Sequence, residues 1–152
     1  MTQNTAPVFT KIPRVQSIAI LSGAFTASAK SDGNGTVATD MFIAFQADAT
    51  NGSYVQRLRI HPYATTPTAT TAALARIFIS SLDTGTVTPT DTHLFQEIAL
   101  PVSNAANATS PCNFYEIPLN FALPADYTIL ISIHQALAAN TGWRFTVFGG
   151  DY

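Results

Sequence analysis

"DYTILISIH", residues 126–134, sets Tyr127, Ile129, Ile131 and Ile133 on one side of an extended chain and Thr128, Leu130, Ser132 and His134 on the other. Successive side chains of a strand point to opposite faces, so this period of two predicts a strand with one face in the core. The run is entered through "LPAD" at 123–126, where proline fixes the entry angle and aspartate tolerates a turn conformation. Asp126 therefore reads as a corner residue. His134 reads as a strand-end residue at the surface or at a subunit contact.

The same alternation recurs outward from this stretch. Trp143, Phe145 and Val147 oppose Arg144, Thr146 and Phe148, and Leu58 and Ile60 oppose Arg57, Arg59 and His61. Strands are predicted over 15–28, 37–47, 53–63, 74–81, 93–100, 113–122, 126–135 and 143–149. Turn chemistry separates them: "SDGNG" at 31–35, "NG" at 51–52, "DTG" at 83–85, "SNAANATSP" at 103–111 and "NTG" at 140–142. Residues 64–73 are low in complexity and read as a loop, and 70–76, "TTAALAR", is a candidate short helix. About eight half-buried strands at turn spacings of roughly ten residues predict an all-β antiparallel sandwich, a jelly roll of about eight strands. Residues 1–13, polar and carrying Pro7 and Pro13, lack periodicity and read as an extended arm ahead of a single sandwich domain, 14–152.

Composition narrows the function classes. The chain has 152 residues, enough for one core, and 47% are hydrophobic. Only 11% are charged, against roughly 25% in an average soluble domain. Thr and Ala together exceed a quarter of the chain. An uncharged polar surface costs less to desolvate, which suits a protein packed against neighbours. The net charge of −2 argues against a nucleic-acid footprint. The longest apolar runs, such as "SIAIL", fall short of a membrane span, and the first residues lack a secretion-signal pattern, so synthesis in a reducing cytoplasm is expected. Cys112 is the single cysteine, so a disulfide within the chain is excluded.

The candidate chemistry is thin. His61, His93 and His134 fall on three different strands. Asp91-x-His93 gives two potential metal ligands on one strand face, and a turn aspartate opening a strand explains it as well. Glu97 and Glu116 could form a glycosidase pair if close enough, but cross-strand pairing with Arg57, Arg59 or Arg76 is the stronger reading. No serine sits in a nucleophile elbow. The Arg57, Arg59, His61 stripe could bind an anion or a sugar, with Tyr54, Tyr63 and Trp143 as stacking platforms. "NGT", "NGS" and "NAT" match the glycosylation acceptor pattern and are equally ordinary turns. No catalytic residue, metal or cofactor is expected.

"LFQEIALP" at 94–101, "YEIPLNFALPADYTILISIH" at 115–134 and "GWRFTVFGGDY" at 142–152 resemble a group of small structural proteins encoded by tailed phages, over roughly residues 53–152. The group closes with a Leu-Pro-Ala-Gly/Asp-Tyr corner, an apolar strand, a Gly-Trp strand and a terminal Gly-Gly-Asp-Tyr; this chain has Asp126 where glycine is the expected residue. The resemblance implies a bacteriophage virion component. The expectation is a non-enzymatic capsid decoration (cement) protein on the head surface, partnered by the major capsid protein and by copies of itself as a homotrimer, without nucleic acid or membrane. The alternative is a host-recognition or carbohydrate-binding module on the tail or head surface, with Tyr54, Tyr63, Arg57 and Trp143 as contacts. An arm of thirteen residues spans up to about 45 Å when extended, enough to cross a subunit boundary. The candidate partner contacts are Pro7, Val8, Phe9, Ile12 and Pro13 in the arm, Arg57 and Arg59 on the stripe, and Tyr152 at the end of "FGGDY", where Gly149 and Gly150 permit close backbone approach.

Overall fold

The computed structural model describes residues 10–28, 31–64, 68–103 and 112–152. Ten strands follow in chain order: β1 Ile12–Leu21, β2 Gly35–Thr36, β3 Phe42–Gln46, β4 Ser53–Ala64, β5 Ala73–Ser80, β6 Thr86–Val87, β7 Thr92–Leu100, β8 Tyr115–Leu123, β9 Thr128–Ile133 and β10 Thr141–Asp151. Two four-stranded antiparallel sheets, β1-β10-β4-β8 and β3-β9-β5-β7, pack as a sandwich, and β2 pairs with β6 in a separate ribbon. Among the eight long strands the first pairs with the last, the second with the seventh, the third with the sixth and the fourth with the fifth. That order, a long hairpin rolled on itself, is compatible with a jelly roll.

The core lies between the sheets. Leu58 and Ile60 from β4 and Trp143, Phe145 and Val147 from β10 face Phe45, Ala75, Ile77, Ile129, Ile131 and Ile133. Each fully buried aliphatic or phenyl side chain larger than alanine contributes about 1.5–3 kcal/mol. Each of the eight long strands overlaps one of the eight predicted runs. Several ends differ. The first strand stops at Leu21, not 28, because the chain turns at Gly23, with φ +76°, and Thr26 and Ser28 then donate to the Thr39 and Ile133 carbonyls. The second is cut to Phe42–Gln46 by a turn in which Ala38 takes φ 68° and the Asp40 carboxylate accepts the Thr36 N–H. The candidate helix over 70–76 is overturned: from Ala73 the chain is strand, with Ala73, Ala75 and Ile77 all in the core, an alternation a helix cannot offer.

The outer face of β9 also differs from expectation. Thr128, Leu130 and Ser132 are buried along with the inward isoleucines. Leu130 and Phe78 pack with Met41 and Val87 in a second apolar cluster, flanked by Val37 and Ile43. The residues around the β2–β6 ribbon thus cover part of the second sheet.

At the other end, Arg14 of β1 donates twice to the Asp151 carboxylate of β10, at 3.0 and 3.2 Å, and Ser53 of β4 donates to it at 2.5 Å. Arg14 also lies 5.3 Å from the Phe45 ring centre in the opposite sheet. β1 begins at Ile12, so the last two residues of the expected arm belong to the sheet: Ile12 faces Asp151 and Pro13 faces Gly150 in register. Pro7, Val8 and Phe9 lie outside the described residues.

Candidate functional site

The outer face of the β1-β10-β4-β8 sheet gathers Arg57, Arg59 and His61 from β4, Arg144 and Phe148 from β10, and Glu116 from β8. The ladder register sets Arg57 opposite both Phe148 and Pro118, Arg59 opposite Glu116, and His61 opposite Arg144. Side chains directly opposed across antiparallel strands have Cβ atoms about 4.5–5.5 Å apart, so these pairs touch. A bulge in β4 sets which residues share the face. Val55 and Leu58 both enter the core, three positions apart, because Gln56 has no partner in either neighbouring strand. Without it, Tyr54 and Arg57 would point to opposite sides.

The guanidinium groups stack on rings. Arg57 stands 4.6 Å from the Phe148 ring centre and Arg59 5.7 Å from the same ring. Arg59 is also 5.0 Å from Phe114, and Arg144 is 4.7 Å from Tyr63. Each such contact contributes about 0.5–1 kcal/mol at an exposed site. Glu116 accepts from Arg59 at 2.5 and 2.9 Å. Arg57 Nε approaches it only to 3.7 Å, an ionic contact and not a hydrogen bond. The Arg59 hydrogen bonds, with the charges of Arg59 and Arg57, hold the Glu116 pKa below its ordinary value. Burial, with Arg144 and Arg59 nearby, lowers the His61 pKa, so His61 is neutral at pH 7. Three arginines against one glutamate leave this face two positive charges. The rest of the chain then carries four more acidic than basic groups, for the net of −2.

The expected cross-strand pairing of the glutamates holds. Glu97 pairs with Arg76, whose Nε donates at 2.7 Å, on the outer face of the other sheet. Glu97 and Glu116 therefore lie on opposite outer faces of a sandwich whose sheets are about 10 Å apart, and they cannot flank one glycosidic bond. The three histidines do not converge. His93 is exposed on β7, and His134 Nδ1 accepts the Leu74 N–H at 2.7 Å, tying it to the neighbouring strand. Asp91 accepts from the Thr88 hydroxyl at 2.6 Å, as a turn residue does. Among the described residues no three His, Cys, Asp or Glu side chains gather as metal ligands. A shallow groove of about 250 Å³ is lined by Gly23, Ala24, Phe25, Thr26, Ala38 and Thr39, none of them titratable.

Trp143 is corrected from candidate stacking platform to core: it is fully buried, against Tyr115. Tyr54 stays on the outer face, its hydroxyl donating to Asn120 at 3.2 Å. Asp126 takes φ 64° in the turn before β9, as a corner residue should. Ile12 is 60% exposed on the edge strand, and Pro13 is exposed beside it. Tyr152 is half-buried, its N–H donating to the Gly52 carbonyl at 3.3 Å. Close approach at the glycines is real: a Cβ on Gly149 would meet the Tyr54 carbonyl oxygen at 2.4 Å. Sequence reasoning missed Arg144, Phe148 and Phe114 as members of the face. Arg144 and Phe148 were legible as outward residues, but their neighbours depend on strand order.

No family model matches the chain, and comparison with curated proteins finds no match. Among solved structures, that of infectious bursal disease virus, Gx strain, is similar at a TM-score of 0.28 and 11% identity, over 97% of this chain and 36% of that one. This chain thus spans about a third of that chain's length, and at that score the likeness carries no argument.

Proposed function

We propose that this chain is a non-enzymatic structural protein of a bacteriophage virion, a decoration protein that cements the head shell through its N-terminal arm and one sandwich face. One observation carries the docking part of the reading: three guanidinium groups stand on the outer face of one sheet, each braced on a ring. An outward, braced sheet face suits a macromolecular surface better than a small substrate. The low charge of the chain and its resemblance to small tailed-phage proteins support the virion assignment. The partners are the major capsid protein and copies of this chain, as a homotrimer. An edge strand such as β7, with Leu94 and Phe95 exposed, leaves a ladder open for a neighbour.

The carbohydrate-binding alternative is weaker. Sugar rings stack on open aromatic faces, whereas Trp143 is buried and Phe148 already carries two guanidinium groups. The deciding experiment is copy number in purified virions, relative to the major capsid protein. Copies in the hundreds are expected on this reading; a handful per particle, or none, overturns it. Deletion of residues 1–9 tests the arm. That cut spares Thr10, whose side chain sits against Gly150, and all of β1. The shortened protein should fold and fail to bind heads; undiminished binding removes the arm from the reading.

A further inference from the structure

The sign and chemistry of the outer face identify the kind of surface it meets. We propose that its occupant is an acidic protein surface whose Asp and Glu carboxylates are gripped by Arg57, Arg59 and Arg144; this rests on the decoration reading, in which that surface belongs to the head shell. The face carries two positive charges on a chain whose remaining groups sum to the opposite sign, so an acidic partner is drawn to this side of the molecule and repelled from the others.

The arginines are held ready. Each lies over at least one ring, and stacking uses the flat side of a guanidinium, leaving its in-plane N–H groups for acceptors. Those acceptors are only partly supplied from within. Glu116 is the one carboxylate paired on this face among the described residues, and it serves Arg59 first. Arg144 has no carboxylate partner among them; the Nε atoms of Arg57 and Arg144 are buried without an acceptor, so an incoming carboxylate is met by the terminal Nη groups of these part-exposed side chains. A planar fork matches a carboxylate with two parallel hydrogen bonds. Three arginines fall well short of the roughly six to ten phosphate contacts of a typical nucleic-acid binder. Covered rings disfavour a glycan.

The test uses the full chain and fluorescein-labelled octaglutamate, with octaglutamine and a heparin octasaccharide as comparison probes, read by fluorescence anisotropy. Octaglutamate should bind and octaglutamine should not, and affinity should fall about tenfold or more between about 50 and 200 mM salt. Arg57→Gln with Arg59→Gln should abolish binding while circular dichroism shows the sandwich intact. Arg57→Lys with Arg59→Lys keeps the charge and loses the fork, so it should weaken binding at least about fivefold. Equal binding of both peptides, no binding of either, wild-type affinity in either double variant, or tighter binding of heparin than of octaglutamate each overturns the proposal. Virions separate the two readings. If the glutamine variant is incorporated at normal copy number, the acidic grip is wrong and decoration stands. If wild-type protein is missing from virions, decoration falls whatever the peptide does.

Discussion

Replacing Gly149 by alanine tests how closely β10 lies against β4. A Cβ there would stand 2.4 Å from the Tyr54 carbonyl oxygen and 3.4 Å from the Val55 Cα. Non-bonded carbon atoms rest about 3.5–4.0 Å apart, so the methyl group needs roughly 1 Å of extra room. The obstructing atom is backbone, in the middle of a sheet, beside the register shift at Phe148 and Gly149. It cannot swing away as a side chain would. Overpacking of this kind costs about 1–3 kcal/mol, and each ladder hydrogen bond weakened by parting the strands adds about 0.5–1.5 kcal/mol. The expected loss is about 3 kcal/mol. At roughly 2–4 °C per kcal/mol for a domain of this size, Gly149→Ala should melt about 6–12 °C below wild type. Gly85→Ala is the control. Gly85 sits at φ +70°, and a methyl group there meets no atom within 4 Å. It bears only the left-handed backbone penalty of about 1–2 kcal/mol. Thermal unfolding by far-ultraviolet circular dichroism reads both. A Gly149→Ala protein that melts within about 2 °C of wild type, or above Gly85→Ala, refutes the close-approach reasoning.

Leu130→Ala should cost about 3 kcal/mol by urea unfolding, within the range for emptying a packed site, since Leu130 is fully buried with Met41, Phe78 and Val87; a loss under about 1 kcal/mol would mean the cluster outside the second sheet is open to water. His61 supplies a pH dependence. Its pKa is lowered from 6.5 by burial and by Arg144 and Arg59, so the unfolded chain takes up the proton more readily. His61 therefore costs nothing well above pH 6.5 and removes stability as pH falls below 6.5 towards the lowered folded value. A proton-NMR titration should place the His61 midpoint below 6.5, and His61→Gln should flatten the stability profile across that window; a midpoint above 6.5 contradicts the assignment.

β-rich runs closed by turn residues are enough to find every long strand, and where a strand buries one face the period of two marks which side is the core. It sets Trp143, Phe145 and Val147 against Arg144, Thr146 and Phe148 and reads Arg57, Arg59 and His61 as outward; both divisions hold, although Trp143, taken as a stacking platform, belongs to the buried side. It fails where a second object covers the other face. Leu130 and Ser132 look like the solvent side of β9 until Met41 and Val87 are placed over that side, and those residues come from segments distant in the chain. The two-residue strands β2 and β6 are too short to carry a period at all. The turn before β3 depends on one carboxylate, Asp40, reaching back to the Thr36 N–H, which composition does not reveal.

The face itself shows why function is harder to read than fold. Each of its side chains is ordinary alone: an outward arginine, a strand phenylalanine, a glutamate opposite a base. Their meaning comes from strand order. β4 lies between β10 and β8, so Phe148 and Glu116 reach its arginines from two strands far along the chain. The bulge at Gln56 then decides which of Tyr54, Val55 and Arg57 looks outward. Period-two reading cannot foresee a skipped residue, and a single skip reverses every assignment beyond it. Once the order is known, the chemistry follows from geometry: Phe148 is reached by two guanidinium groups at once, which removes it as a sugar platform and fixes both cations in place. A ring that would have argued for a glycan when seen alone argues, in its sheet, for a carboxylate.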